Sequence, residues 1–98
     1  MKLSSSQRRF LRGMTHHINP VVMIGEKGLT PNVLEEIENA LDHHELIKIS
    51  LRTGREARQA MSLEISKSFK AVIVHQIGRV CCFYRRNKKK PVIDLPGV

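Results

Sequence analysis

Gly25-Glu26-Lys27-Gly28 is the segment whose residue types and spacing are best suited to chemistry, and that chemistry is anion binding. Two glycines three apart permit positive φ and let a second backbone approach without a Cβ in the way. Lys27 adds a mobile ammonium. The segment opens onto Leu29-Thr30-Pro31, where Thr30 suits an N-cap and Pro31 the first helical position. A helix N-terminus presents free N–H groups and the positive end of its dipole, so a phosphate is the natural guest. Two features oppose it: Pro31 removes a donor, and Glu26 places an acid beside the incoming charge.

Basic side chains elsewhere supply the field such a turn needs. The chain has 17 Lys and Arg against 9 Asp and Glu, a formal net charge of +8. The excess sits at the two ends of the sequence, while the middle is slightly acidic. Arg8, Arg9 and Arg12 come first, Arg52 and Arg55 follow a central strand, and Arg85, Arg86 and Lys88 to Lys90 lie near the C-terminus. If folding brings both ends to the glycine turn, they form one cationic surface whose expected partner is a polyanion, most often nucleic acid. With one Tyr, three Phe and no Trp, aromatic stacking is not its main means of holding bases.

Other chemistries lack their residues. His44-Glu45 begins like a zinc-protease HExxH, but Lys48 stands where the second histidine belongs. The five histidines fall as two adjacent pairs and a singleton, and neighbours on a helix do not converge on one metal. Cys81 and Cys82 are adjacent, with no C-x-x-C spacing. In a strand they point to opposite faces, as reduced core thiols of a cytosolic protein would. No Ser, Thr or Cys carries the signature of an activated nucleophile. No enzyme activity, cofactor, metal site or small-molecule substrate is therefore expected. No apolar run approaches the ~20 residues of a membrane span, and polar Ser4–Arg9 stands where a signal peptide would be apolar.

The elements that must position these groups follow from periodicity. Ser4 and Gln7 form a capping box, after which Phe10, Leu11, Met14 and Ile18 recur at helical spacing with Arg8, Arg9 and Arg12 mostly off the stripe. Val21–Ile24 reads as a strand buried on both faces. A second helix runs from Pro31 through Ile37 and Leu41 to His43 and His44, and Leu46–Leu51 alternates as a second strand. A third helix spans about Glu56–Ser68, with Ala57, Ala60, Met61 and Ile65 inward. Ala71–Ile77 and Val80–Arg85 flank Gly78-Arg79, a type II′ hairpin signal pairing Ile77 with Val80, His75 with Cys82 and Ile73 with Tyr84. Residues 1–98 read as one domain, ending in a basic, Pro-containing tail, 87–98, at most loosely attached.

The order α-β-α-β-α-β-β implies an α/β fold: a four-stranded mixed sheet packed with three helices, parallel across the helical crossovers and antiparallel at the hairpin. Strand order is not readable at this level.

Leu11-Arg12-Gly13-Met14, Pro20–Thr30, His44–Lys48, and Ile77-Gly78 through Tyr84-Arg85-Arg86 together resemble the CRM domain family (chloroplast RNA splicing and ribosome maturation) in its bacterial single-domain, YhbY-type form. The resemblance covers nearly the whole chain. It implies a fold like the C-terminal domain of translation initiation factor 3, RNA as partner, and association with precursors of the large ribosomal subunit. It also implies RNA contact at Gly25, Glu26, Lys27 and Gly28 with neighbouring basic side chains. The resulting expectation is a cytoplasmic, monomeric, non-catalytic RNA-binding protein acting on ribosomal RNA. The alternatives are a generic basic binder of duplex DNA and a protein-docking module.

Overall fold

A computed structural model describes residues 2–97. Helix α1 spans Ser5–Thr15, strand β1 Pro20–Ile24, helix α2 Pro31–His44, strand β2 Leu46–Leu51, helix α3 Arg55–Phe69, strand β3 Val72–Ile77 and strand β4 Val80–Tyr84. The four strands form one sheet in the order β1-β2-β4-β3. β1 pairs parallel with β2, and β4 pairs antiparallel with both β2 and β3. The mixed α/β architecture expected from the element order is the one observed.

Local chemistry explains the helix starts. The Ser4 hydroxyl accepts from Gln7 N–H and the Gln7 side chain accepts from Ser4 N–H, completing the capping box. Thr30 caps α2 by accepting from Val33 N–H, with Pro31 at the first helical position. Helix α3 starts after Gly54, which offers no side-chain cap.

Alternation along the strands divides the interior in two. Val22, Ile24, Ile47, Ile49, Leu51, Cys81 and Phe83 face α2 and α3, meeting Ile37, Leu41 and Ile65. Leu46, Val74, Cys82 and Tyr84 face the other way, where Leu11 of α1 and Leu95 of the tail cover them. Each fully buried large side chain contributes about 1.5–3 kcal/mol relative to exposure.

Four expectations need correction. β1 is an edge strand buried on one face only: Val21 and Met23 are 48% and 58% exposed. Helix α1 covers only part of its side of the sheet, leaving open the cross-strand row Met23–Ser50–Val80–Ile77. Within that row Ile77 is 65% exposed and Val80 partly buried. On α3 the inward face is Met61, Ser62, Ile65 and Phe69, whereas Ala57 and Ala60 are exposed. A small polar Ser62 replaces an apolar residue there because its hydroxyl receives the Gln76 side chain. The hairpin pairs Ile77 with Val80 and His75 with Cys82 as expected, with Gly78 at φ 56 and no positive φ at Arg79. A bulge between Ile73 and His75 then shifts the register, so Tyr84 faces Val72 and Phe83 faces Ile73.

The tail is the fourth. Leu95 is buried, Gln7 Nε2 donates to Pro96 O at 2.8 Å, and Glu45 binds the tail backbone at three points. One Glu45 oxygen accepts from Val92 and Ile93 N–H at 2.7 and 2.6 Å, the other from Asn87 N–H at 2.6 Å. Glu45 is itself wholly buried and caps α2 at φ 61. A carboxylate buried in this way is satisfied only by such donors. The docked 86–97 segment is thus part of the fold.

Candidate anion-binding surface

The glycine turn closes through a hydrogen bond from Gly28 N–H to Gly25 O at 3.0 Å. Its two glycines are there for different reasons. Gly28 has φ 69, a conformation that costs an L side chain, and a Cβ there would lie 3.7 Å from Met61 Cε. Gly25 has no positive φ, and a Cβ there would meet nothing within 4 Å. The fold requires a glycine at 28 and makes no such demand at 25.

Strand pairing decides which cations reach this turn. Ile24 pairs with Leu51, and Arg52 N–H donates to Ile24 O at 2.7 Å, so the loop after β2 lies against the end of β1. Leu51 N–H donates to Arg79 O, which brings the β3–β4 hairpin to the same end. Arg52, exposed, is therefore beside the glycine turn, as is Lys27 within it, and Arg55, also exposed, follows three residues on at the start of α3. Arg58 and Arg79 join them: a pocket of about 520 Å³ is lined by Glu26, Arg52, Thr53, Gly54, Ala57, Arg58, Met61 and Arg79. Sequence reasoning missed these two. The signal available for Arg79 was the hairpin, whose antiparallel return to β2 sets its turn beside the end of that strand.

The remaining basic residues do not converge there. Arg85 follows β4, and its N–H donates to Glu45 O at the opposite end of β2. Five strand steps of about 3.3 Å put roughly 17 Å between the two ends. Arg85 is also occupied: its guanidinium pairs with Glu38 at 2.5 Å and Asp42 at 2.8 Å on α2. Its hydrogen bond to Glu38 holds that carboxyl below the ordinary carboxylate value, and the same bond raises Arg85. Arg86 and Lys88 lie at that far end with the docked tail. On α1, Arg8 is half-buried and donates to Ile73 O at 2.7 Å, while Arg9 and Arg12 are exposed. The expected single cationic surface is in fact three groups: the turn end with Gly25–Gly28, Arg52 and Arg55; the outer face of α1; and the far end with Arg85, Arg86 and Lys88.

Among the described residues, no nucleophilic or metal-binding groups gather as the arginines do. Burial pushes the Cys81 thiol up to about 11 and raises Cys82, which disfavours the reactive thiolate at neutral pH. Among the described residues no three His, Cys, Asp or Glu side chains form a metal-binding group, and no helix is long and apolar enough to cross a membrane. A groove of about 580 Å³ between α1, β1 and the tail is mainly apolar, lined by Phe10, Met14, Ile18 and Val21 among others. What the turn end can do chemically is attract and hold an anion.

A small α/β module with cations gathered at its strand ends is the class that fold and surface define. The same fold occurs in the solution structure of the Staphylococcus aureus protein SAV1595, described as a candidate RNA-binding protein. The two match with a TM-score of 0.80 and 29% identity over 97% of this chain and 100% of that one. The chain belongs to the CRS1/YhbY (CRM) domain family, whose pattern matches residues 3–85. A Haemophilus influenzae protein named RNA-binding protein is 47% identical over 96% of this chain and 95% of its own length. The Bacillus subtilis probable RNA-binding protein YqeI is 33% identical over 96% of this chain and 99% of its own.

Proposed function

We propose that this protein is a non-catalytic RNA-binding module whose contact surface is the Gly25–Gly28 turn with the arginines gathered at the same end of the sheet. The observation that carries this reading is Gly25. It has ordinary backbone geometry and open space where a Cβ would stand, so the fold supplies no reason for glycine. An approaching sugar-phosphate backbone supplies one. Family membership and relatives named RNA-binding proteins support RNA over other polyanions.

Lys27, Arg52 and Arg55 then position the phosphate backbone, while Arg9 and Arg12 on α1 contribute longer-range attraction. Arg85 acts in the fold, as the partner of Glu38 and Asp42. The RNA in this reading is ribosomal, in precursors of the large subunit, and the protein acts as a cytoplasmic monomer during assembly.

Gly25→Asp tests the reading. The variant is expected to keep its thermal stability, because the site is open, and to lose RNA affinity, because the new carboxylate meets the phosphate. A folded Gly25→Asp protein with unchanged affinity removes the turn from the mechanism. Competition at fixed salt separates the alternative: RNA with single-stranded parts should displace the protein from duplex DNA, and equal competition favours generic basic binding.

A further inference from the structure

Within the proposed surface, the anion's seat need not be the helix that follows the glycine turn. The first turn of α2 is already occupied. Pro31 has no N–H, Val33 N–H is taken by the Thr30 hydroxyl, and Leu34 N–H by Thr30 O. That leaves the Asn32 N–H as the one donor of the turn with no partner among the described residues. The N-terminus of α3 is different, because Gly54 at its N-cap has no side chain to offer. The pocket in front of it gathers Arg52, Arg58 and Arg79 from three separate parts of the sequence.

The three arginines have different freedoms. Arg58 donates to Thr53 O at 2.9 Å, which braces the loop and fixes one edge of its guanidinium. Arg52 and Arg79 are exposed, and their backbone groups, not their side chains, hold the strands together. Thr53 Oγ1 is buried at the pocket wall with no hydrogen-bond partner among the described residues. The opposing charges are Glu26 on the rim and Glu56 in the first turn of α3. Those two acids weigh against a dianion such as a terminal phosphate. A phosphodiester, with one negative charge and two free oxygens, matches two mobile guanidinium groups and one fixed one.

We infer that the Arg52–Arg58–Arg79 pocket at the start of α3 is the seat for one internal phosphodiester of a single-stranded RNA segment, with the glycine turn forming its wall. This inference rests on the RNA-binding reading and adds to it a defined location and a ligand charge. It replaces a diffuse basic field by a site with three named contacts.

The test uses a single-stranded uridine decamer, its uncharged methylphosphonate-backbone counterpart, and two charge-matched double variants of the full chain. R52Q/R79Q removes the mobile pair. K67Q/K70Q removes two exposed lysines at the other end of the same helix. For R52Q/R79Q the expected result is at least a tenfold loss of decamer affinity, with the log–log salt slope shallower by about 1.4, two contacts at ~0.7 each. K67Q/K70Q should lose less than about threefold. Amide NMR shifts on adding the decamer should concentrate at Thr53–Ala57 and Arg79, and the methylphosphonate strand should leave those amides in place. Equal losses in the two variants, or shifts elsewhere with Thr53–Ala57 unmoved, overturn the seat while leaving RNA binding intact. Failure of the wild-type chain to bind the decamer overturns both readings.

Discussion

Replacing Glu45 should release the C-terminal segment, and the pattern across three substitutions tests why. The buried carboxylate accepts three tail N–H groups at 2.6–2.7 Å, and its residue sits at φ 61. Hydrogen bonds to a charged group contribute about 1.5–3 kcal/mol each. The gross loss in Glu45→Ala is therefore several kcal/mol, but undocking of the tail caps it. Once Asn87, Val92 and Ile93 reach water their donors are satisfied again, and the chain recovers about 1–2 kcal/mol of backbone entropy per released residue. What remains lost is the margin by which the tail stays docked, a margin to which burial of Leu95 and part of Ile93 contributes. A net destabilisation of about 2–4 kcal/mol follows. For a chain of this length that lowers Tm by roughly 10–25 °C.

Glu45→Gln keeps one acceptor oxygen for Val92 and Ile93 but turns a donor toward Asn87 N–H, so about half the loss is expected. Glu45→Gly is the diagnostic variant. Glycine relieves the positive φ, worth about 1–3 kcal/mol, against an entropic cost of about 0.5–1 kcal/mol. Glycine should therefore be less damaging than alanine, the reverse of the usual order. Urea denaturation gives the energies, and amide hydrogen exchange should show protection lost first at Asn87, Val92 and Ile93. An alanine variant within 0.5 kcal/mol of wild type, or an unchanged exchange pattern, refutes the reasoning.

The glycine turn predicts a second asymmetry: Gly28→Ala should cost about 1–2 kcal/mol for its φ of 69, and Gly25→Ala less than 0.5 kcal/mol, by thermal denaturation. RNA affinity should fall with salt along a log–log slope of about −3 to −4, from ~5 phosphates at ~0.7 each; a flat response contradicts the electrostatic contact. Glu38 is held below its ordinary value by Arg85, so its contribution to stability is present above about pH 4.5 and is lost as pH falls through the lower folded-state value. In Arg85→Gln the Glu38 titration followed by carboxyl NMR should move upward, and an unmoved titration rejects the pair. Cys81 and Cys82 are 0% and 1% exposed, so a thiol reagent at pH 8 should label them only as fast as the protein opens; rapid labelling of the native chain would mean an accessible thiolate.

What could be read from the sequence was whatever a few neighbouring residues decide. The Ser4–Gln7 box, the Thr30-Pro31 start and the Gly78-Arg79 hairpin each carry their own hydrogen-bonding or φ requirement, and all three stand as expected. The errors came where a distant part of the chain chooses. Val21–Ile24 is apolar throughout, and composition alone cannot reveal that α1 stops short of Val21 and Met23. The tail looked detachable because its lysines and prolines dominate the composition, while its anchor is Glu45, more than forty residues earlier. In the sequence that glutamate reads as the second letter of an incomplete metal motif, with nothing beside it to mark it as an anchor.

The candidate site shows the same division. Gly25–Gly28 was legible as a turn, but the reason each glycine is there needed coordinates. The grouping of cations was mistaken in a way that sequence order invites, since Arg85 and Arg79 are six residues apart and lie at opposite ends of β4. An antiparallel strand carries its two ends to different neighbours. Arg79 is delivered to the exit of β2 and Arg85 to the acids of α2. Charge counted along the chain therefore overstates the surface, because a salt-bridged guanidinium offers little to a second anion. The cations free to meet an anion are those whose backbones are fixed by strand pairing and whose side chains have no hydrogen-bond or ion-pair partner among the described residues, which at the turn end means Arg52 and Arg79.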